Sequence, residues 1–170
     1  GHRVVGPASP TQMLYCLLAT QRVTLGGREY LRLSGTSMAA AVVTGSVALM
    51  IEGTRTTLGA TPTANAVKAM LQHTAFPMGD AAGTPYHGLA QGAGEVNAAG
   101  AVVLAQAINP TGALGSNWLT TGVTESTTVD GQNIVWGENI VWGENIVWGE
   151  AIYSNNGAWA NNIVWGENIV

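Results

Sequence analysis

The stretch from Tyr30 to Ile51 constrains this chain more than any other. Tyr30-Leu31-Arg32-Leu33 reads as a short strand, and Met38 to Ile51 is a run of small and apolar residues long enough for a buried helix. Between them stands Ser34-Gly35-Thr36-Ser37, in which Gly35 permits a sharp turn. Ser37 is therefore expected where a strand becomes a helix. A hydroxyl there is lifted clear of the sheet, and the free N–H groups and dipole of the helix start can stabilise developing negative charge. The position suits a nucleophile. Serine and threonine are also favoured N-caps, so the placement alone fits a plain helix start as well.

Composition removes several classes. With 9% charged residues and a net charge of −4, the chain lacks the basic stripe of a nucleic-acid binder, and it is equally unlike a charged disordered tail. Cys16 is the only cysteine, so neither an intramolecular disulfide nor a cysteine metal cluster can form. Lying in the apolar run Met13 to Ala19, it is expected as a buried small hydrophobe. Met38 to Ile51 falls short of the ~18 to 20 apolar residues that span a bilayer and carries Thr44 and Ser46, so no membrane span is expected. The chain opens on Gly1 with no signal-peptide pattern, as expected of the remainder of something longer.

In chain order, Arg3 to Pro10 reads as a strand ending in a Gly/Pro turn, and Gln21 to Gly27 turns the chain back into the Tyr30 strand. Glu52 to Ala60 reads as a Gly/Thr loop. Thr61-Pro62 supplies an N-cap and a first-turn proline for a helix to about His73, with Ala66, Val67, Ala69, Met70 and Leu71 on its apolar face. Gly79 to Gly88 is a polar loop, and Asn97 is placed to cap a final helix over Ala98 to Ile108. Three parts are thus expected: 1–108, a Thr/Gly/Ser/Asn-rich linker over 109–132, and a repeat tail over 133–170. In that tail Asn-Ile-Val-Trp-Gly-Glu stands at 133–138, 139–144, 145–150 and 162–167, and 168–170 begin another copy. Ile-Val-Trp favours strand and Gly-Glu-Asn favours turn, while the even period keeps each residue type on one face. Four copies are too few for a self-sufficient solenoid, so a strand-rich cap on the preceding domain, or a longer array, is expected.

Gly35-Thr36-Ser37-Met38-Ala39-Ala40 with the following Val43-Thr44-Gly45 resembles the nucleophile motif of the subtilisin-like serine proteases, the subtilases. Ala41 stands where that family usually has proline, and Val42 where it often has histidine. Two further segments resemble the family in the same order. A Thr-Pro opening leads to Val67-Lys68-Ala69-Met70-Leu71 and Thr74-Ala75, and Gly92-Ala93-Gly94-Glu95-Val96-Asn97-Ala98 resembles the close of many subtilase catalytic domains. Similar Ile-Val-Trp-Gly tracts occur at the tails of some secreted bacterial relatives.

The resemblance implies an α/β fold, with residues 1–108 forming the C-terminal portion of a parallel-sheet, three-layer catalytic domain ahead of a β-rich repeat tail. It implies a serine-type endopeptidase acting on peptide or protein substrates, with Ser37 as nucleophile and its backbone N–H as an oxyanion donor. In the family order Asp and His precede Ser, so both, and the oxyanion asparagine, are expected upstream of Gly1. The partner of this chain is then the upstream half of the same domain, and the chain alone is expected to be inactive. A secreted or cell-surface bacterial location follows from the family, as does any structural calcium; no cofactor is indicated. One competing enzyme reading takes 35–39 as a degenerate α/β-hydrolase elbow with Asp80 and His87 as acid and base. Against it, Ala39 stands where the elbow needs glycine. A third reading, from another class, is a non-catalytic remnant serving as a structural or surface-binding repeat module.

Overall fold

A computed structural model describes residues 1–109, 111–113, 116–117, 119–120 and 122–136, with 88 and 89 described by backbone alone. The remainder, including every repeat copy after the first, lies outside the described residues. Two compact units emerge, Gly1–Gly45 and a second from Ser46 onward.

The first unit is a three-stranded sheet of β1 (Val4–Pro7), β2 (Arg22–Leu25) and β3 (Arg28–Leu33), in the order β1-β3-β2. Gly26 and Gly27, at φ 57° and 72°, form the two-residue turn joining β2 to β3. Positive φ at both positions matches the twist of the flanking strands, which makes this the tightest hairpin available. β1 lies on the other side of β3, with Val4 opposite Leu33 and Pro7 opposite Tyr30. The strands expected around residues 4 and 30 are present. The parallel arrangement is not, because all pairings among the described residues are antiparallel. A two-residue turn can only return the chain beside itself, whereas parallel neighbours need a crossover of a dozen residues or more.

Between β1 and β2 run the short helix α1 (Met13–Leu17) and a 3₁₀ turn at Ala19–Gln21. α1 buries none of its residues, so Cys16 is exposed rather than buried, with its Sγ 3.6 Å from the carbonyl of Pro10. The apolar run there is too short to form a face that anything covers. Tyr15 does find partners. Its hydroxyl donates to Glu29 at 2.5 Å, and the Arg22 guanidinium lies 4.5 Å from its ring centre. The hydrogen bond to Glu29 holds the phenolic proton and raises the pKa of Tyr15.

α2 (Thr36–Leu58) begins in the first unit and ends in the second. At 23 residues it outruns the expected helix and takes in most of the expected loop at 52–60, and by length and composition alone it is long enough to cross a membrane. Nor is it buried. Only Ser46, Met50, Gly53 and Thr54 are enclosed, a single stripe at i, i+4, i+7 and i+8. Those residues explain the extra length. The Thr54 hydroxyl lies 2.9 Å from the Met50 carbonyl and 3.0 Å from that of Ala105, and Gly53 sits against the Gln106 side chain. Tertiary contacts thus keep a threonine-rich segment helical against its weak propensity. Gly59, at φ 68°, then closes the helix, its N–H bonding the Arg55 carbonyl.

The second unit holds the core. α3 (Ala64–His73) is capped by Thr63, whose Oγ1 accepts from the Ala66 amide at 3.1 Å, two residues beyond the expected cap. Thr63 offers the same hydroxyl chemistry as Thr61, and Thr61 instead accepts from Arg55 Nε. After the four-residue helix α4 (Gly88–Gln91), a bridge between Phe76 and Glu95 leads into α5 (Ala98–Ala105), capped by Asn97 as expected. Gly94 makes that bridge possible, since a Cβ there would fall 2.1 Å from the Phe76 carbonyl oxygen. β4 (Ser126–Val129) and β5 (Gln132–Val135) form a second hairpin, within and just after the stretch read as linker. Met50, Ala66, Ala69, Met70, Ala101, Leu104, Ala105, Ile108 and Trp136 make one buried cluster.

Candidate functional site

The loop between β3 and α2 carries the Gly-Thr-Ser segment. Ser34 closes it on one side, its Oγ accepting from the Arg3 amide at 2.9 Å. Gly35 exchanges two hydrogen bonds with Gly1, its N–H donating to the Gly1 carbonyl at 2.9 Å and its carbonyl accepting from the Gly1 amine at 3.0 Å. The Gly35 carbonyl also accepts from the Ala39 amide, which completes the first turn of α2. With φ at 150°, Gly35 occupies a conformation that side chains disfavour. The chain can therefore swing from the end of β3 into the helix within two residues.

Ser37 is the second residue of α2 and is exposed. The expected strand-to-helix placement is what the structure shows. In the first turn of a helix the N–H groups have no partner four residues back, and the summed peptide dipoles leave about half a positive charge at that end. Negative charge beside Ser37 would lie in this field. Ser37 is not among the residues with positive φ, which outside glycine are Arg3 and Asp130 among the described residues. It is an ordinary helical residue, unlike the nucleophile of a strained α/β-hydrolase elbow.

The acid of that competing reading is occupied locally. Asp80 Oδ1 accepts from the amides of Ala82 and Thr84, each at 2.9 Å. Those backbone donors, the Thr84 amide foremost, favour the ionised carboxylate and depress its pKa. Asp80 is thus the organiser of its own turn, where Gly83 adopts φ 83°. His87 leads into α4, its carbonyl accepting from the amides of Ala90 and Gln91. Ser37 belongs to the first unit and both of these residues to the second.

One cluster of polar side chains escaped the sequence reading. His73, at the end of α3 and 4% exposed, has Nε2 3.7 Å from a Glu125 carboxylate oxygen and its ring edge-on to Trp136, centres 6.4 Å apart. Burial favours the neutral imidazole and lowers its pKa, with Glu125 opposing the shift. Trp136 Nε1 donates to Thr127 Oγ1 at 2.8 Å, and Asn97 Nδ2 donates to the same oxygen at 2.9 Å. Asn97 Oδ1 meanwhile caps α5 through the Gly100 amide. An Asp-Gly pair after Ser-Thr-Thr-Val was the available signal for this hairpin. No group of three or more His, Cys, Asp or Glu suited to a metal occurs among the described residues.

A family model described as the subtilase family, peptidase S8, matches residues 15–102, more than half of the chain. The span runs from α1 into α5 and contains the Ser37 turn, α3 and the Asn97 cap. No curated protein and no solved structure matches the chain.

Proposed function

The chain belongs to the subtilase family, and on that premise we propose that it forms the C-terminal part of the catalytic domain of a serine endopeptidase in which Ser37 is the nucleophile. The observation that carries this reading is the exposed hydroxyl of Ser37 in the first turn of a 23-residue helix, directly after a glycine turn. In the proposed reaction Ser37 Oγ attacks the scissile carbonyl and its proton passes to a histidine base. The tetrahedral oxyanion rests on the Ser37 N–H and the helix start. Collapse expels the amine, which takes the proton, and water then hydrolyses the acyl-serine. The substrate is a peptide or protein.

The base and its carboxylate are assigned to residues upstream of Gly1, in keeping with the family's order of Asp, His and then Ser. Within this sequence the histidines are His2, His73 and His87. His73 is enclosed beside Trp136 and Glu125, which suits a packing role. The 170-residue chain alone is therefore proposed to be inactive, and the parent protein to be secreted or displayed on a bacterial surface.

Fluorophosphonate labelling of the natural protein and of the 170-residue chain tests both parts. Label is expected on Ser37 of the natural protein, and Ser37→Ala should lower kcat by roughly 10⁶-fold, the scale of removing such a nucleophile. Label on a different serine would remove the assignment. Ser37-dependent cleavage by the 170-residue chain would remove the claim that it is incomplete. The non-catalytic alternative draws support from Trp136, which shows a repeat residue serving in the core.

A further inference from the structure

The described part of the chain ends in the first repeat copy, and that copy is held in a specific way. Its backbone pairs with β4, Ile134 opposite Thr127 and Val135 opposite Ser126, and the Trp136 amide adds a bond to the Glu125 carbonyl at 2.8 Å. Its indole fills a slot. Gly100 forms the floor, where a Cβ would come within 2.9 Å of Trp136 Cζ2. Thr127 accepts the indole N–H, and the His73 ring stands edge-on to it. Trp136 is 4% exposed and belongs to the same cluster as Met50, Met70 and Leu104.

Apart from the backbone pairing of Gln132 with Val129, the features the slot and strand read lie within Asn-Ile-Val-Trp, and those four residues recur unchanged at 139–142, 145–148 and 162–165. We propose that β4 and the start of α5 form a binding site for the Asn-Ile-Val-Trp segment. Its occupant is exchangeable: Asn133–Trp136 holds it, and Asn139–Trp142 of the same chain takes it when the first copy cannot. A slip of six residues is even, so the pleat presents tryptophan to the same face. Side-chain identity leaves only the connection to separate the two registers. The two-residue turn at Asp130-Gly131 becomes a loop of about eight residues, which chain-closure scaling makes roughly eightfold less favourable. Loss of the tight turn, with φ 48° and 80°, adds to that preference. The first copy therefore dominates, and the repeats behind it are spare plugs for one socket.

The test uses the full chain and the resonances of Gly100, which packs against Trp136 Cζ2 and so reads the indole's ring current. W136A/W148A/W165A leaves Trp142 as the one repeat indole. The ring-current shift of Gly100 is expected to persist in it, with a melting midpoint within a few degrees of the natural chain. W136A/W142A/W148A/W165A should lose the shift and melt at least ~10 °C lower, as expected for emptying a large aromatic site. If the triple variant loses the shift, or fails to fold as the quadruple does, the socket is specific to Trp136 and the proposal is overturned. A shift that persists in the triple variant but disappears on dilution assigns the occupant to a second chain, which overturns exchange within one chain.

Discussion

The two units differ in what holds them. The first, which carries Ser37, is a hairpin plus one strand with Leu31 as its one large buried apolar side chain among the described residues. Met13, Leu14 and Leu17 of its short helix stand exposed. Its order comes from backbone ladders and from the bonds of Gly1, Arg3 and Ser34 around the glycine turn. In the second, three helices and a hairpin enclose a continuous cluster of methionine, leucine, isoleucine and tryptophan. Ladder hydrogen bonds contribute little net stability each because water competes for the same groups, whereas apolar burial scales with area. The residue proposed to do chemistry therefore sits in the unit with the weaker core. The repeat, which the sequence sets apart as an appendage, supplies part of the stronger one.

Substitutions can break or sharpen that contrast. The largest effect is expected for Leu104→Ala, which opens a cavity beside Met50 and Met70 and should cost about 2–5 kcal/mol in urea unfolding. Leu31→Ala should disturb only amide protection in β1 to β3. An equal loss of global stability from it would mean that the units share one cooperative core. Gly100→Ala comes next. Its methyl would meet Asn97 Nδ2 at 2.6 Å and Trp136 Cζ2 at 2.9 Å, so a cost of about 1–3 kcal/mol and a shifted Trp emission are expected. Thr63→Ala removes the α3 cap and should cost about 1 kcal/mol, read as a lower urea midpoint at unchanged slope.

The smallest effect concerns pH. His73 has a folded pKa below the ordinary 6.5, so the unfolded chain binds its proton first. Its share of stability is fully present above about 6.5 and is lost as pH falls through the folded value. His73→Phe should flatten the urea midpoint between pH 8 and pH 5, whereas an unchanged slope would place the pH dependence elsewhere.

Local chemistry made much of the fold legible. Gly26-Gly27 between two apolar runs, Asn97 before Ala98, and the Gly35 turn before a long apolar run all act through neighbours in sequence, and each appears where those residues put it. Thr61 and Thr63 show the limit of such reasoning, since two equal caps stand two residues apart and packing chose the second. The antiparallel sheet, the exposure of Cys16 and the extension of α2 through Leu58 depended on what lies across the fold. The site divided the same way. The placement of Ser37 was readable because a strand, a glycine and a helix are contiguous, while His73, Glu125 with Thr127, and Trp136 come from three separated segments.

By itself the sequence determined a serine at the start of a helix in a subtilase segment, and a tail of identical strand-forming hexapeptides. Capping, turn conformation and hydrophobic period are properties of adjacent residues, so they survive without knowledge of the rest. Only the tertiary structure put Trp136 of the first copy in the core. Four copies with the same residues have the same local preferences, and burial of Trp136 over Gly100 is a contact between residues 36 positions apart. Where local preferences are equal, the shortest loop and the slot at Gly100 and Thr127 favour one register.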